Sequence, residues 1–179
     1  VKVLGAPRAE PLFAGTPQQR TDGSRALIEH HLGDLRDAKV VLYAPTWRDR
    51  NYDRPPAQRD TDFLLSLREL MPLLDPEAVV IVKDHEYLAA MDTRLPTRCL
   101  DGSQMHISHL LSVCDVVVTD YSSVADDATQ LGIPVFVFAR DLARYEAERG
   151  IYPGAFEAIG ATLSVTTTDL AERLNSIRP

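Results

Sequence analysis

The sequence predicts an α/β domain built on a doubly wound parallel sheet, and three observations carry that expectation. Four near-continuous apolar runs of strand length, Lys39 to Ala44, Ala78 to Lys83, Asp115 to Thr119 and Pro134 to Ala139, read as strands buried on both faces. Stretches with apolar residues near the 3.6-residue period lie before, between and after them. The alternation of strand and helix calls for right-handed crossovers and hence parallel pairing.

In chain order, a helix is expected over Ser24 to Gly33, where the glycine supplies a C-terminal cap, followed by the strand Lys39 to Ala44. The polar, twice-proline stretch Arg48 to Asp60 reads as a loop long enough to form a mobile flap. Helix Asp62 to Met71 and strand Ala78 to Lys83 follow, then helix His106 to Val113 and strand Asp115 to Thr119. Ser122 and Gly132 bracket the next helix as N-cap and C-cap signals, ahead of strand Pro134 to Ala139. Helix Asp141 to Arg149 stops at Gly150, and a last helix over Asp169 to Ile177 takes its start signal from Thr168 and Asp169.

Composition narrows the function classes. A length of 179 residues suits one core, and a content of 45% hydrophobic and 25% charged residues with 9 Gly and 12 Pro excludes disordered and fibrous chains. The formal net charge of -7, with no Lys/Arg block, argues against a nucleic-acid surface, so a bound phosphate needs a local site. Apolar runs such as Ala78 to Val82 and Ile133 to Ala139 fall far short of the ~20 residues a membrane span needs. Cys99 and Cys114 show no metal spacing and favour a reducing compartment, while His30 with His31 and His106 with His109 lack a third ligand. Neither a metal nor a cofactor is expected. The chain opens at Val1 without methionine, which suggests a piece of a longer protein.

In doubly wound sheets the ligand sits beyond the carboxyl ends of the strands, near the reversal of strand order. That rule selects Pro45 to Asp53, Asp84 to Glu86, Asp120 to Ser123, and Arg140 with Asp141. In VVVTDYSSV (Val116 to Val124) the hydroxyls of Ser122 and Ser123, with free amides where a helix begins, suit an anion; the alternative is that they merely start the helix. Asp120 is compatible with an anion only if it faces away, caps a loop or accepts a hydroxyl. VVLYAPTWRD (Val40 to Asp49) offers Thr46 and a bidentate phosphate contact from Arg48, or else a surface loop in which Trp47 packs underneath and Arg48 pairs with Asp49. VKDHE (Val82 to Glu86) places His85 just past a strand end, where it either meets a phosphate or is structural. No G-x-G-x-x-G, P-loop or G-x-S-x-G motif is present, which argues against Rossmann dinucleotide enzymes and excludes P-loop NTPases and α/β-hydrolases.

Several of these segments, in order and spacing, resemble one family. Gly5-Ala6-Pro7-Arg8 resembles the G-x-P-R of the C-terminal half of the CDP-glycerol glycerophosphotransferases, which build polyglycerol-phosphate teichoic acids. Tyr43 to Asp49 is similar to that family's Y-A-P-T-[WF]-R-D, Thr119 to Val124 to its T-D-Y-S-S-V, Gly132-Ile133-Pro134 to its G-K-P, and Arg149 to Tyr152 to its R-G-F-Y. His85 falls at its strand-end histidine, although Glu86 stands where the family has proline, and Asp127 falls at its aspartate four residues after the second serine.

The resemblance implies the Rossmann-like C-terminal half of a GT-B fold, with residues 1–179 forming a single nucleotide-diphosphate donor-binding domain of a longer two-domain transferase. It implies transfer of glycerol phosphate, or a related polyol phosphate, from a CDP-alcohol to a teichoic-acid-like or capsule polymer with release of CMP. His85 would be the catalytic residue of this half, touching the donor phosphates. Ser122 and Ser123 would bind the diphosphate, with Thr46 and Arg48 on the same side. Arg8 and Asp120 would complete the substrate contacts, and Asp127 would orient donor hydroxyls or loop amides. The acceptor polymer would be met through an N-terminal domain, in the cytoplasm at the inner face of the plasma membrane, with only peripheral membrane contact. Two alternatives stand beside it: the donor half of a glycosyltransferase using a UDP- or GDP-sugar, with Asp141 or Glu148 gripping the ribose, and a non-catalytic nucleotide-binding module.

Overall fold

The computed structural model describes residues 15–35, 37–55, 58–62, 64–83 and 95–177, so Arg8, His85 and Glu86 lie outside the described residues. The first helix, α1 (Pro17–Leu32), begins earlier than Ser24. Thr16 caps it through a reciprocal pair: its hydroxyl accepts from the Gln19 amide at 3.2 Å, and Gln19 Oε1 accepts from the Thr16 amide at 2.9 Å. The early turns are polar and exposed, so the cap marks the start where the apolar period does not.

Strand β1 (Lys39–Ala44) has the bounds its sequence predicts, and a single 3-10 turn follows at Asp49–Asn51. Helix α2 (Leu67–Leu70) is shorter than expected because Ser66 caps it and a 3-10 turn containing Pro72, Met71–Leu73, ends it. Then come β2 (Ala78–Val82), β3 (Cys99–Asp101), α3 (Ile107–Leu111), β4 (Val116–Thr119), α4 (Val124–Gln130), β5 (Val135–Phe138), α5 (Leu142–Arg149), α6 (Ala155–Ala158), β6 (Thr162–Ser164) and α7 (Thr167–Ser176). Thr166, not Thr168, caps α7 by accepting from the Asp169 amide at 3.2 Å. The sequence reading omitted β3, α6 and β6, which are three or four residues long and too short to display a period.

All strands pair in parallel in the order β3-β2-β1-β4-β5-β6, so the order reverses between β1 and β4. This is the Rossmann-like architecture of one half of a GT-B fold, and its crevice opens where β1 and β4 end. There Ala44 pairs with Thr119, whose hydroxyl donates to the Ala44 carbonyl at 2.6 Å. Alternation along β1 divides the core: Val40, Leu42 and Ala44 pack with α1, α3 and α4, whereas Val41 and Tyr43 pack with α2 and α7.

At the opposite, amino-terminal end of the strands the buried Lys39 ammonium donates to Asp75 at 3.1 Å and to the Leu174 carbonyl at 3.0 Å, which ties the end of α7 to β1. Cys99 and Cys114 are buried and free; burial pushes the Cys99 thiol up to about 11 and raises Cys114 further, so both are packing residues. His106 caps α3, and the His109 ring contacts the Ser24 hydroxyl at 3.1 Å. Among the described residues no helix is long and apolar enough to cross a membrane, and no group of His, Cys, Asp and Glu is arranged to hold a metal.

Gly102, just after β3, sits so close to its neighbours that a Cβ would lie 2.7 Å from the Ile81 Cγ2 and 3.3 Å from both Leu110 Cδ1 and the Val82 carbonyl oxygen. Gly102→Ala therefore overpacks the core and is expected to lower the unfolding free energy by about 1–3 kcal/mol. Urea denaturation checks this; a midpoint at or above that of the parent chain contradicts it.

Candidate functional site

Three loops leave the carboxyl ends of β1, β4 and β5, and buried charges tie them together. Asp120, first after β4, spends its carboxylate on the chain around it: Oδ1 accepts from the Thr46 amide at 2.8 Å and the Tyr121 amide at 2.7 Å, and Oδ2 pairs with Arg48 at 2.9 Å. This is the loop-capping disposition. Burial pushes the Asp120 carboxyl upward, opposed by the Arg48 guanidinium and the two amides.

Arg48 stands past the end of β1, and its guanidinium turns inward. Nε and Nη2 grip Asp141, the residue before α5, at 2.9 and 3.1 Å; Nη2 also meets Asp120, and Nη1 donates to the Thr46 carbonyl at 2.7 Å. Burial alone would ease the proton off Arg48, but the two carboxylates raise its pKa instead. Asp141 moves oppositely: burial favours its neutral form, yet Arg48, the Tyr121 hydroxyl and Arg144 hold it below the ordinary carboxylate range. The surface-loop alternative is corrected here, because Arg48 is buried at 3% exposure and Asp49 pairs with Arg149.

The described residues of the stretch Arg48 to Asp60 are pinned at both ends rather than hanging as a flap. Asn51 is buried and exchanges two hydrogen bonds with the Asp60 backbone, at 2.8 and 2.9 Å. Arg50 bridges Asp60 at 2.9 Å and Glu148 of α5 at 3.3 Å. Such local pairing between residues distant in sequence has no signature in a polar, proline-containing run.

Beside the β4–α4 loop opens a cleft of about 290 Å³. Its lining is polar at Ser122, Ser123 and Asp126 and apolar or aromatic at Tyr121, Tyr145, Ile151, Tyr152 and Phe156. Tyr121 and Tyr145 are stacked with centroids 3.6 Å apart, the Arg48 guanidinium lies 4.9 Å from the Tyr121 centroid, and the Tyr121 hydroxyl donates to Asp141 at 3.1 Å. Gly150, which lines the cleft, and Gly154 both stand at φ 74, in the left-handed region that glycine adopts without strain. Ser122 Oγ accepts from the Val124 amide at 3.3 Å, and Ser123 is the N-cap residue of α4 but makes no side-chain cap bond. Asp127 is buried within α4, its amide donating to the Ser123 carbonyl at 3.4 Å, so Asp126 and Asp120, not Asp127, line the cleft.

The structure thus joins Thr46, Arg48 and Asp120 in one hydrogen-bonded unit and sets Ser122 and Ser123 beside it through Tyr121, with Asp127 behind them. Arg8 and His85 lie outside the described residues. Sequence reasoning missed Asp141 as the partner of Arg48, and it missed Tyr145 and Phe156; the place of Asp141 after the end of β5 was the available signal.

A family model described as CDP-Glycerol:Poly(glycerophosphate) glycerophosphotransferase matches residues 1–179. The chain is 36% identical over 158 residues to the teichoic acid poly(glycerol phosphate) polymerase of Bacillus subtilis (strain 168), a match covering 85% of this chain and 21% of that protein. It is 30% identical over 182 residues to the teichoic acid poly(ribitol-phosphate) polymerase of Bacillus spizizenii, covering 95% of this chain and 27% of that protein. A structure of a variant of the wall teichoic acid polymerase TagF superposes with a TM-score of 0.79 at 29% identity over 98% of this chain and 42% of that one. A variant of TagF soaked with CDPG gives a TM-score of 0.76 at 28% identity, with coverage of 98% and 42%. The chain therefore spans about a quarter of the length of these two curated relatives.

Proposed function

The chain belongs to the CDP-glycerol:poly(glycerophosphate) glycerophosphotransferase family, and from that premise we propose that residues 1–179 form the donor-binding domain of an enzyme that transfers glycerol phosphate, or a related polyol phosphate, from a CDP-alcohol to a teichoic-acid-like or capsule polymer. The observation that carries this reading is the Ser122–Ser123 segment, held beside an open cleft at the carboxyl end of the sheet by carboxylates already committed to internal partners. In the proposed reaction an acceptor hydroxyl oxygen attacks the β-phosphorus, a new P–O bond forms as the anhydride bond breaks, and CMP leaves. The hydroxyl proton goes to a base contributed from outside this chain. Such a reaction asks the protein mainly for positioning and for donors aimed at developing charge.

In this reading Ser122 and Ser123 donate to the diphosphate, the cleft takes the polyol end, and Thr46, Arg48 and Asp120 hold the loops. Asp127 supports the serine segment from behind, and Arg8 and His85 supply cationic contacts to the phosphates. Arg48, Arg50, Arg144 and Arg149 are already paired with carboxylates, which is why further positive charge is assigned there. The sugar-nucleotide reading loses its anchors, since Asp141 is spent on Arg48 and Tyr121 and Glu148 on Arg50. The same proposal puts the full-length protein in the cytoplasm at the inner face of the plasma membrane, meeting its polymer through another domain.

Titration of the 179-residue chain with CDP-glycerol, CMP and UDP-glucose tests this. CDP-glycerol is expected to bind, UDP-glucose more weakly, and no polymer is expected to form. Preference for UDP-glucose overturns the assignment of the donor, and polymer made by this chain alone overturns the division of labour.

A further inference from the structure

Resting on the donor-site reading above, we propose that Asp141 is a positioning residue for that site: a carboxylate outside the cleft that sets the conformation of the Tyr121–Ser123 segment by gripping Arg48 and the Tyr121 hydroxyl together. Each of three strand-end loops contributes one buried charge to a single unit, Asp120 after β4, Arg48 after β1 and Asp141 after β5. Tyr121 is held at two points, its amide by Asp120 at 2.7 Å and its hydroxyl by Asp141 at 3.1 Å, and its ring lies flat on Tyr145. Ser122 is the next residue. Rotating the segment would break a backbone bond, a phenol bond and a ring stack together, so the serine hydroxyls stay aimed only while Asp141 is in place. Asp141 is itself fixed before the first turn of α5, with Arg50 at 3.8 Å and Arg144 at 3.7 Å.

The charges make this role separable from folding. Asp120, Arg48 and Asp141 carry a net charge of about one negative unit, so neutralising Asp141 leaves Arg48 and Asp120 as a balanced pair rather than an orphaned buried charge. Asn at this position keeps the size but offers one acceptor and a donor where the fork of Arg48 needs two acceptors.

The test has two arms on the same chain. In the absence of ligand, Asp141→Asn is expected to shift the amide resonances of Tyr121, Ser122 and Ser123 while leaving Leu170 and Leu174 of α7 in place; unmoved serine amides overturn the proposal. In titrations, Asp141→Asn is expected to weaken CDP about tenfold, the equivalent of one charge-assisted contact, and to leave cytidine binding unchanged. Equal losses for both ligands, or none for either, overturn it. Arg48→Lys keeps the charge without the fork and is expected to match Asp141→Asn rather than the parent. If the asparagine variant does not fold, Asp141→Glu, which keeps the charge but displaces it, takes its place in both arms with the same readings. A parent chain that binds neither CDP nor cytidine defeats the donor-site reading, and the amide shifts still decide the positioning role.

Discussion

Replacing Ser122 and Ser123 together with alanine is expected to weaken CDP-glycerol binding by about 100-fold or more while barely changing the stability of the domain. Under the proposed function each hydroxyl donates to a diphosphate oxygen, and a hydrogen bond to a charged group contributes about 1.5–3 kcal/mol, so the pair contributes about 3–6 kcal/mol. At about 1.4 kcal/mol per decade this corresponds to two to four decades in the dissociation constant, less whatever water recovers. The stability side is small for a local reason. Ser122 gives α4 only a long bond to the Val124 amide at 3.3 Å, and Ser123 gives it no side-chain cap. Calorimetric titration and thermal unfolding of the same variant separate the two contributions. Unchanged affinity with a melting point several degrees lower would return both serines to the task of starting a helix.

The second large effect belongs to Arg48. Replacing it with methionine keeps much of the volume but removes the only cation, among the described residues, within 3 Å of both Asp120 and Asp141, which are buried. Removing one partner from a buried ion pair typically costs about 3–5 kcal/mol, and here two carboxylates share the loss. The pH dependence has a definite sign. In the parent, Arg48 helps hold Asp141 below its ordinary value, so the stability from that interaction is complete above the unfolded carboxylate value of ~3.9 and is lost as pH falls from there through the lowered folded value. In Arg48→Met, Asp141 keeps the Tyr121 hydroxyl and Arg144, whereas Asp120 loses the guanidinium that opposed its burial, so the Asp120 carboxyl rises further above the unfolded value. A group so raised destabilises the fold at high pH, and that penalty shrinks as pH falls. The difference in unfolding free energy between variant and parent is therefore expected to narrow from pH 7 to pH 5 in denaturant titrations. A difference that is constant with pH, or one below about 1 kcal/mol at pH 7, the size of an exposed ion pair, would mean that the unit is not a buried electrostatic brace.

Most of the sheet could be read from the chain because its central strands are buried on both faces. Lys39 to Ala44 and Val116 to Thr119 carry near-unbroken β-branched and apolar runs, which few other settings tolerate. The two strands that were missed, Cys99–Asp101 and Thr162–Ser164, lie at the edges of the sheet, where pairing on one side suffices and three residues are enough. Helix α1 was placed by its apolar stripe and so began too late, since its opening turn rests on a cap.

At the site, the chain alone determined which loops stand at the carboxyl ends of the strands, because the ends of parallel strands lie where the main chain itself directs them, and Thr46, Arg48, Asp120, Ser122 and Ser123 fall on those ends. What each side chain does there was decided by tertiary structure. Arg48 reads in sequence as a phosphate ligand or as the partner of Asp49, because those are the groups near it in the chain. In the fold the reversal between β1 and β4 and the return of β5 bring Asp120 and Asp141, 72 and 93 positions later in the numbering, within 3 Å of its guanidinium. A guanidinium taken out of water binds the carboxylates that packing delivers to it, and no pattern of local residue types records which carboxylates those are.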